Sequence, residues 1–203
     1  MTVKQVARFC GELYSKWSAA TADDRLKRFQ IDPAARFGNL SKGQKKQVVL
    51  ACALGMSPEI LVLDDPTLGL DVVARKSLFE EVITELADRG ITVLMTTHDL
   101  AGVETIADRV GILSGGSLVL DEEMEALKSR FRRIRFAASS VALNVGNLVT
   151  ASVRQWGSGT EAVISNYDDL TFERVRTEAN VAEVVPMSLE EIFIAMAGEE
   201  EHS

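Results

Sequence analysis

Two short, largely apolar runs, residues 59–63 and 91–96, stand on either side of a helical pattern over about 72–89, and that spacing constrains the fold more than any other feature of the chain. A brief apolar run bounded by turn residues reads as a strand buried on both faces, as in a parallel sheet. The intervening segment places Leu78, Val82 and Leu86 on one stripe and closes at Gly90, so the order is strand, helix, strand. The first run ends in Asp64-Asp65-Pro66, and the second leads through Thr96-Thr97 into His98. Open α/β sheets bind ligands at the carboxyl ends of their strands, where charged groups face a metal or a phosphate without entering the core. Asp64, Asp65 and His98 are therefore expected at one sheet edge. Taken singly, each has a plainer reading: a polar strand exit for the aspartates, a surface imidazole for the histidine.

Composition narrows the class. With 203 residues, 46% of them apolar, the chain can bury a real core and suits one domain with a small appendage. A net charge of −8 argues against a surface that neutralises many phosphates, so no nucleic acid is expected as partner. Cys10 and Cys52 are isolated thiols without ligand-like spacing; Cys52 lies in an apolar helical run and reads as a buried, reduced cysteine, which fits a cytoplasmic setting. The longest apolar stretches, such as 48–56, are too short to span a bilayer, and no charged-then-apolar leader opens the chain. Any membrane link is expected through a partner.

The flanking segments read as follows. Val3, Val6, Phe9, Cys10, Leu13 and Trp17 have helical spacing over 2–17, and a second helix over 22–30 breaks at Ile31-Asp32-Pro33. Ser41 followed by Gln44 reads as a capping box for a helix over about 42–54, stopped near Gly55 and Pro58. By itself that tetrad is only a helix start. Residues 109–121 read as a hairpin around Gly115-Gly116, followed by a helix near 122–131. From Arg132 onward the pattern alternates, with a Gly-Ser-Gly turn at 157–159, a strand-like patch at 160–165, and Ser188 to Glu191 capping a helix that is expected to end at Gly198 before an acidic, disordered tail, Glu199-Glu200-Glu201. Arg130, Arg132, Arg133 and Arg135 form a basic cluster, read as a solvated face or, alternatively, as a contact for lipid headgroups or a partner.

Four pieces now stand in order: Leu40-Ser41-Lys42-Gly43-Gln44, then Ile60 to Pro66, then Gly69-Leu70-Asp71, then Thr96-Thr97-His98-Asp99. From Met1 through at least Phe131 the chain resembles the nucleotide-binding subunit of an ABC transporter, and Ser188-Leu189-Glu190-Glu191-Ile192-Phe193 is similar to the tail of exporter-type subunits. The resemblance implies an α/β fold: an incomplete P-loop NTPase-like ABC ATPase core, mainly parallel sheet with helices, and a small C-terminal α+β appendage. It divides the chain into residues 1–131, with a helical subdomain over about 1–56 and a signature-to-histidine core over about 40–131, and an accessory region, 132–203.

The same resemblance implies the chemistry, which is phosphoryl transfer from ATP to water. Asp64 would orient Mg²⁺ or its water ligands, since a hard cation takes anionic oxygen. Asp65 stands where the family usually has a glutamate that polarises the attacking water. Its shorter side chain loses one C–C bond of reach, ~1.5 Å, and misplacement of that order can cost ~10²-fold in rate. His98 would contact the γ-phosphate, and Asp71 would communicate across a dimer interface. Ser41, Gly43 and Gln44 offer hydroxyl, backbone N–H and amide groups at a helix N-terminus to an anion. In the family that anion is the γ-phosphate of ATP held by the opposite subunit. Lys42 departs from the second glycine common there. The partners implied are a second ABC ATPase subunit and transmembrane permease subunits, which would place the protein at the cytoplasmic face of the membrane.

None of the 14 glycines is followed by lysine, so the phosphate-cradling loop ending Gly-Lys-Ser/Thr is missing from these residues. In the family that Walker A loop, the adenine-binding aromatic and the glutamine loop all precede the helical subdomain. Met1-Thr2-Val3 resembles an internal segment, so the expectation is either an internal methionine taken as the start or a shortened gene product, inactive alone. Three functions compete: a transporter ATPase subunit, a non-catalytic module that lends its signature to a partner's ATP, and a soluble ABC-type ATPase acting on nucleic acid or ribosomes, which the acidic charge disfavours.

Overall fold

A computed structural model describes residues 1–136, 147–178 and 181–200. The chain divides into two compact units, Met1–Asp99 and Leu100–Ser203.

In the first unit, helix α1 (Val3–Leu13) starts from a Thr2/Gln5 capping box. It buries Val3 and Ala7, while Phe9 and Leu13 of the expected stripe are more than half exposed. The helix stops short of Trp17, whose indole packs against the backbone of Gly11 and Gly55. A Cβ at either glycine would fall within 2.9 Å of that ring, so both positions exclude larger side chains. Helix α2 (Ala19–Arg28) is capped by Ser18 and ends where Gln30 takes a positive φ of 54°. Helix α3 (Lys42–Gly55) carries the capping box read from the sequence: Ser41 Oγ accepts from Gln44 N–H, and Gln44 Oε1 accepts from Ser41 N–H. Leu26, Val48, Ala51 and Leu54 bury the seam where α2 and α3 pack.

Strand β1 (Ile60–Asp64) pairs in parallel with β2 (Thr92–Thr96), and α4 (Val72–Arg89) joins them. The register sets Asp64 opposite Thr96. Leu61 of β1 and Leu78 and Val82 of α4 are buried; Leu86 lies outside the described side chains. The expectation of strands buried on both faces does not hold, because Ile60, Val62 and Leu94 are each more than 60% exposed. The alternating pattern leaves the face that carries Ile60, Val62 and Leu94 uncovered among the described residues.

The second unit opens with a short helix, α5 (Leu100–Val103), which the sequence pattern did not reveal. Strands β3 (Arg109–Ser114) and β4 (Ser117–Glu123) form the expected hairpin, and Gly115 and Gly116 both adopt positive φ, as a two-residue turn matching strand twist requires. After α6 (Met124–Arg130) come β5 (Arg132–Phe136), β6 (Thr150–Trp156), β7 (Gly159–Ile164), α7 (Asp169–Glu178), β8 (Val181–Pro186) and α8 (Leu189–Glu200). The four strands form an antiparallel sheet in the order β6-β7-β5-β8. Ile134, Phe136, Ala162, Ile164 and Phe172 make one core, and Phe131, Val163, Leu189 and Ile192 belong to another, so the central strands β5 and β7 are covered on both faces. Helix α8 begins at the expected Ser188/Glu191 capping box but runs through Gly198 to Glu200. Glu199 and Glu200 are therefore helical, and Glu201 lies outside the described residues.

The basic cluster is neither a bare solvated face nor a free contact surface. Arg130 binds Glu122, and Arg133 and Arg135 reach Glu161 together with Glu191 and Glu183. Arg135 also lies 4.7 Å from the centroid of the Trp156 ring. Glu161, 2% exposed, takes a third arginine, Arg154. Burial pushes its carboxyl up, and hydrogen bonds from Arg135 and Arg154 more than reverse this, holding it below the ordinary glutamate range.

Candidate functional site

The parallel pairing of β1 and β2 carries Asp64 and Thr96 to the same sheet end, and the chemistry collects there. Thr96 Oγ1 donates to Asp64 Oδ1 at 2.5 Å. One residue on, Asp65 N–H donates to the Thr96 carbonyl at 2.9 Å and to its Oγ1 at 3.0 Å. Asp65 has φ +40°, a left-handed conformation that aspartate tolerates better than most side chains but at a cost of order 1–3 kcal/mol. That kink turns the chain sharply out of the strand and leaves the Asp65 side chain facing β2's exit loop. There Asp65 Oδ2 lies 3.1 Å from His98 Nδ1.

The three residues expected at one edge are thus together, two of them in direct contact. Asp65 Oδ1 is buried and lacks a hydrogen-bond partner. A desolvated carboxylate oxygen is costly to leave unpaired, and such an atom at a strand end is a place for a water or a ligand proton. Asp64 is exposed, with one carboxylate oxygen taken by Thr96. Among the described residues no group of three His, Cys, Asp or Glu side chains stands together as a metal site. Asp64 fits the kind of cation that takes one or two carboxylates and completes its shell with phosphate oxygens and water, which is the habit of Mg²⁺.

Ser41, Gly43 and Gln44 sit at the N-terminus of α3, with Ser41 and Gln44 exposed. The capping box uses Ser41 Oγ and Gln44 Oε1 as acceptors, so the hydroxyl proton and the amide NH₂ are not spent in it. Gly43 packs tightly: a Cβ there would lie 3.3 Å from Leu70 Cδ2 and 3.7 Å from Ala74 Cβ. Asp71 is an N-cap, its Oδ1 accepting from Ala74 N–H at 2.8 Å at the start of α4. That structural role is one the sequence reading did not assign to it. Arg75 reaches Asp99, the residue after His98, at 3.4 Å.

Two features escaped the sequence altogether. Lys46 Nζ donates to the carbonyls of Asp65, Pro66 and Leu68 at 3.0, 3.2 and 2.7 Å. A lysine one turn inside a helix looks like any solvated cation until the fold shows what lies beside it. Cys10 and Cys52 are not isolated: burial and then the adjoining Cys10 thiol push Cys52 up to about 12. The two residues are 42 positions apart, and only the packing of α1 on α3 brings them together.

Comparisons with known proteins bear on the same segment. A family model described as "AAA domain, putative AbiEii toxin, Type IV TA system" matches residues 7–103, which include every candidate site residue. The chain is 29% identical to the ABC transporter ATP-binding protein YtrB of Bacillus subtilis (strain 168) over 97% of its own length and 68% of that protein's. It is 32% identical to the fluoroquinolones export ATP-binding protein MT2762 of Mycobacterium tuberculosis (strain CDC 1551 / Oshkosh), over 94% of this chain and 61% of the relative. Among solved structures, cbiO1 from Clostridium perfringens, described as part of the ABC transporter complex cbiONQ, superposes with a TM-score of 0.53 at 30% identity, covering 63% of this chain and 53% of that one. The chain thus spans little more than half to about two thirds of the length of each.

Proposed function

We propose that the chain, whose relatives and structural neighbours are ABC transporter ATP-binding subunits, serves as such a subunit, coupling ATP hydrolysis to transport through partner membrane subunits. The observation that carries this reading is the contact of Asp65 with His98 beside the Asp64–Thr96 pair, at the carboxyl end of a parallel strand pair. Phosphoryl transfer to water asks mostly for positioning and charge stabilisation, and these residues divide that work. Asp65 orients and polarises the attacking water with its partly exposed carboxylate. His98 keeps the carboxylate oriented and reaches toward the γ-phosphate. Asp64, steadied by Thr96, would hold Mg²⁺, which when bound neutralises charge building on the phosphate oxygens. Ser41, Gly43 and Gln44 present their free donors and the positive end of the α3 dipole to ATP held by a second ATPase subunit.

The exporter sense rests on the Ser188-Leu189-Glu190-Glu191-Ile192-Phe193 tail and on the accessory region 132–203 that follows the ATPase segment 1–131 in the sequence. A site at the cytoplasmic face of the membrane, reached through the permease subunits, follows from the same reading. Among the described residues no helix is long and apolar enough to cross a membrane. The test is MgATP turnover by the assembly isolated from source cells, with wild-type chain and with Asp65→Asn. Loss of turnover in the variant is expected, and unchanged turnover overturns the assignment.

A second reading has its own observation. These 203 residues hold no Gly-Lys-Ser/Thr, yet the signature donors stand exposed, as suits a module that completes a partner's ATP site. It predicts that the 203 residues bind ATP only in the presence of a complete cassette. Tight MgATP binding or turnover by these residues alone would sink it.

A further inference from the structure

Three carbonyl oxygens of the loop that leaves β1 converge on a single ammonium. Lys46 Nζ donates to Asp65, Pro66 and Leu68, so the loop uses all three of its protons. Pro66, Thr67 and Leu70 of the loop are buried, and Asp65 at its start is tied to Thr96 and His98. Leu68 N–H reaches the Asp65 carbonyl at 3.2 Å and Leu70 N–H the Thr67 carbonyl at 3.1 Å. Its first residue carries the positive φ, and three carbonyl dipoles aimed at one point repel unless a cation sits among them. Lys46 is half-buried and stands one helical turn behind Ser41 and Gly43. Gly43 in turn packs on Leu70 and Ala74, just beyond the other end of the loop. Two successive turns of α3 therefore grip residues 65–74 at two points.

We propose that Lys46 is the positioning residue of this site, fixing the backbone from Asp65 to Asp71 against α3 so that both carboxylates and the Ser41–Gln44 donors move as one body. Its three donors go to backbone carbonyls, so it acts through the placement of Asp65. The part of the proposal that concerns turnover rests on the reading of the chain as an ATPase subunit. The part that concerns the loop does not.

The test compares wild type, Lys46→Met and Lys46→Arg. In the full chain, amide hydrogen exchange at Leu68 and Leu70 is followed by NMR, with Lys45 N–H, bonded to Ser41 O inside α3, as the control. Lys46→Met should speed exchange at Leu68 and Leu70 by roughly tenfold or more while Lys45 is unchanged, since hydrogen bonds from a charged donor are the stronger kind. Lys46→Arg should fall between, because a planar fork cannot aim three donors at one converging set of carbonyls. In the source-cell assembly, Lys46→Met should lower kcat roughly tenfold to a hundredfold with KM for MgATP within about twofold, as misplaced catalytic groups do. Unchanged exchange at Leu68 and Leu70 overturns the proposal. Faster exchange with unchanged kcat in an active assembly also overturns it, leaving a merely structural lysine. If the wild-type assembly turns over no MgATP, the ATPase reading falls, and exchange alone decides whether Lys46 holds the loop.

Discussion

Two carboxylates, one in each unit, stand in opposite situations. In Leu100–Ser203, Glu161 is enclosed and answered by Arg133, Arg135 and Arg154, and its own strand, β7, is covered on both faces. In Met1–Asp99, Asp65 keeps a buried oxygen with no partner on a strained backbone, at the end of a strand whose Ile60 and Val62 are exposed. A satisfied charge stabilises a fold and has nothing left to offer. An unsatisfied one lowers stability and is retained where something else will complete it.

Breaking each carboxylate should therefore have a different signature, and the largest effect belongs to Asp65. Asp65→Asn in the assembly should lower MgATP turnover by about 10²- to 10⁴-fold, the range for a lost general base, while the melting temperature holds or rises. A turnover within tenfold of wild type would erase the contrast. Asp65→Glu sharpens it by restoring the longer reach, and an increase in kcat is expected.

Glu161→Ala should leave turnover per folded molecule intact and cost about 3 kcal/mol of stability, because three arginines lose their shared partner and two of them are poorly hydrated. Denaturant titration of the full chain reads this out. The same residue gives a pH dependence. Its folded carboxyl is held below the ordinary value, so its contribution is complete above the unfolded glutamate range, about 4.3, and disappears as pH falls through the lower folded value. Glu161→Gln should flatten that acid limb.

The two capping boxes offer a smaller, cleaner comparison. Ser41→Ala and Ser188→Ala each remove one cap of the same geometry and should each cost about 1 kcal/mol in a thermal melt. Only Ser41→Ala should also slow the partner subunit's ATP turnover. Equal effects on turnover would mean that the α3 N-terminus is an ordinary helix start. Smallest of all, Cys10 should alkylate at least tenfold faster than Cys52 at neutral pH, since Cys52 is buried and its thiol is pushed up to about 12. Peptide mass mapping after brief iodoacetamide treatment reads the ratio.

Much of this was legible in the sequence wherever the cause is local. The Ser41 and Ser188 caps, the Gly115-Gly116 hairpin and the span of α4 follow from interactions within a few residues, and the ranges came out within one or two positions. The ordered motifs from Leu40 to Asp99 also placed Asp64, Asp65 and His98 at one edge, because parallel pairing across a helix leaves little other choice. What the pattern could not reveal was which surfaces stay open. An apolar run such as 60–63 reads as fully buried, and its exposure depends on which elements pack over each face.

Residue types and short spacings by themselves determined the helices, the turns and the identity of the acids and the histidine, since capping, periodicity and backbone preference act over one or two turns of chain. Only the tertiary structure decided that Lys46 holds the Asp65 loop, that Cys10 meets Cys52, and that Arg133 and Arg135 of β5 answer Glu161. Those contacts join residues 19 to 42 positions apart, where closing the chain costs entropy that no local preference offsets and only the packing of whole elements repays.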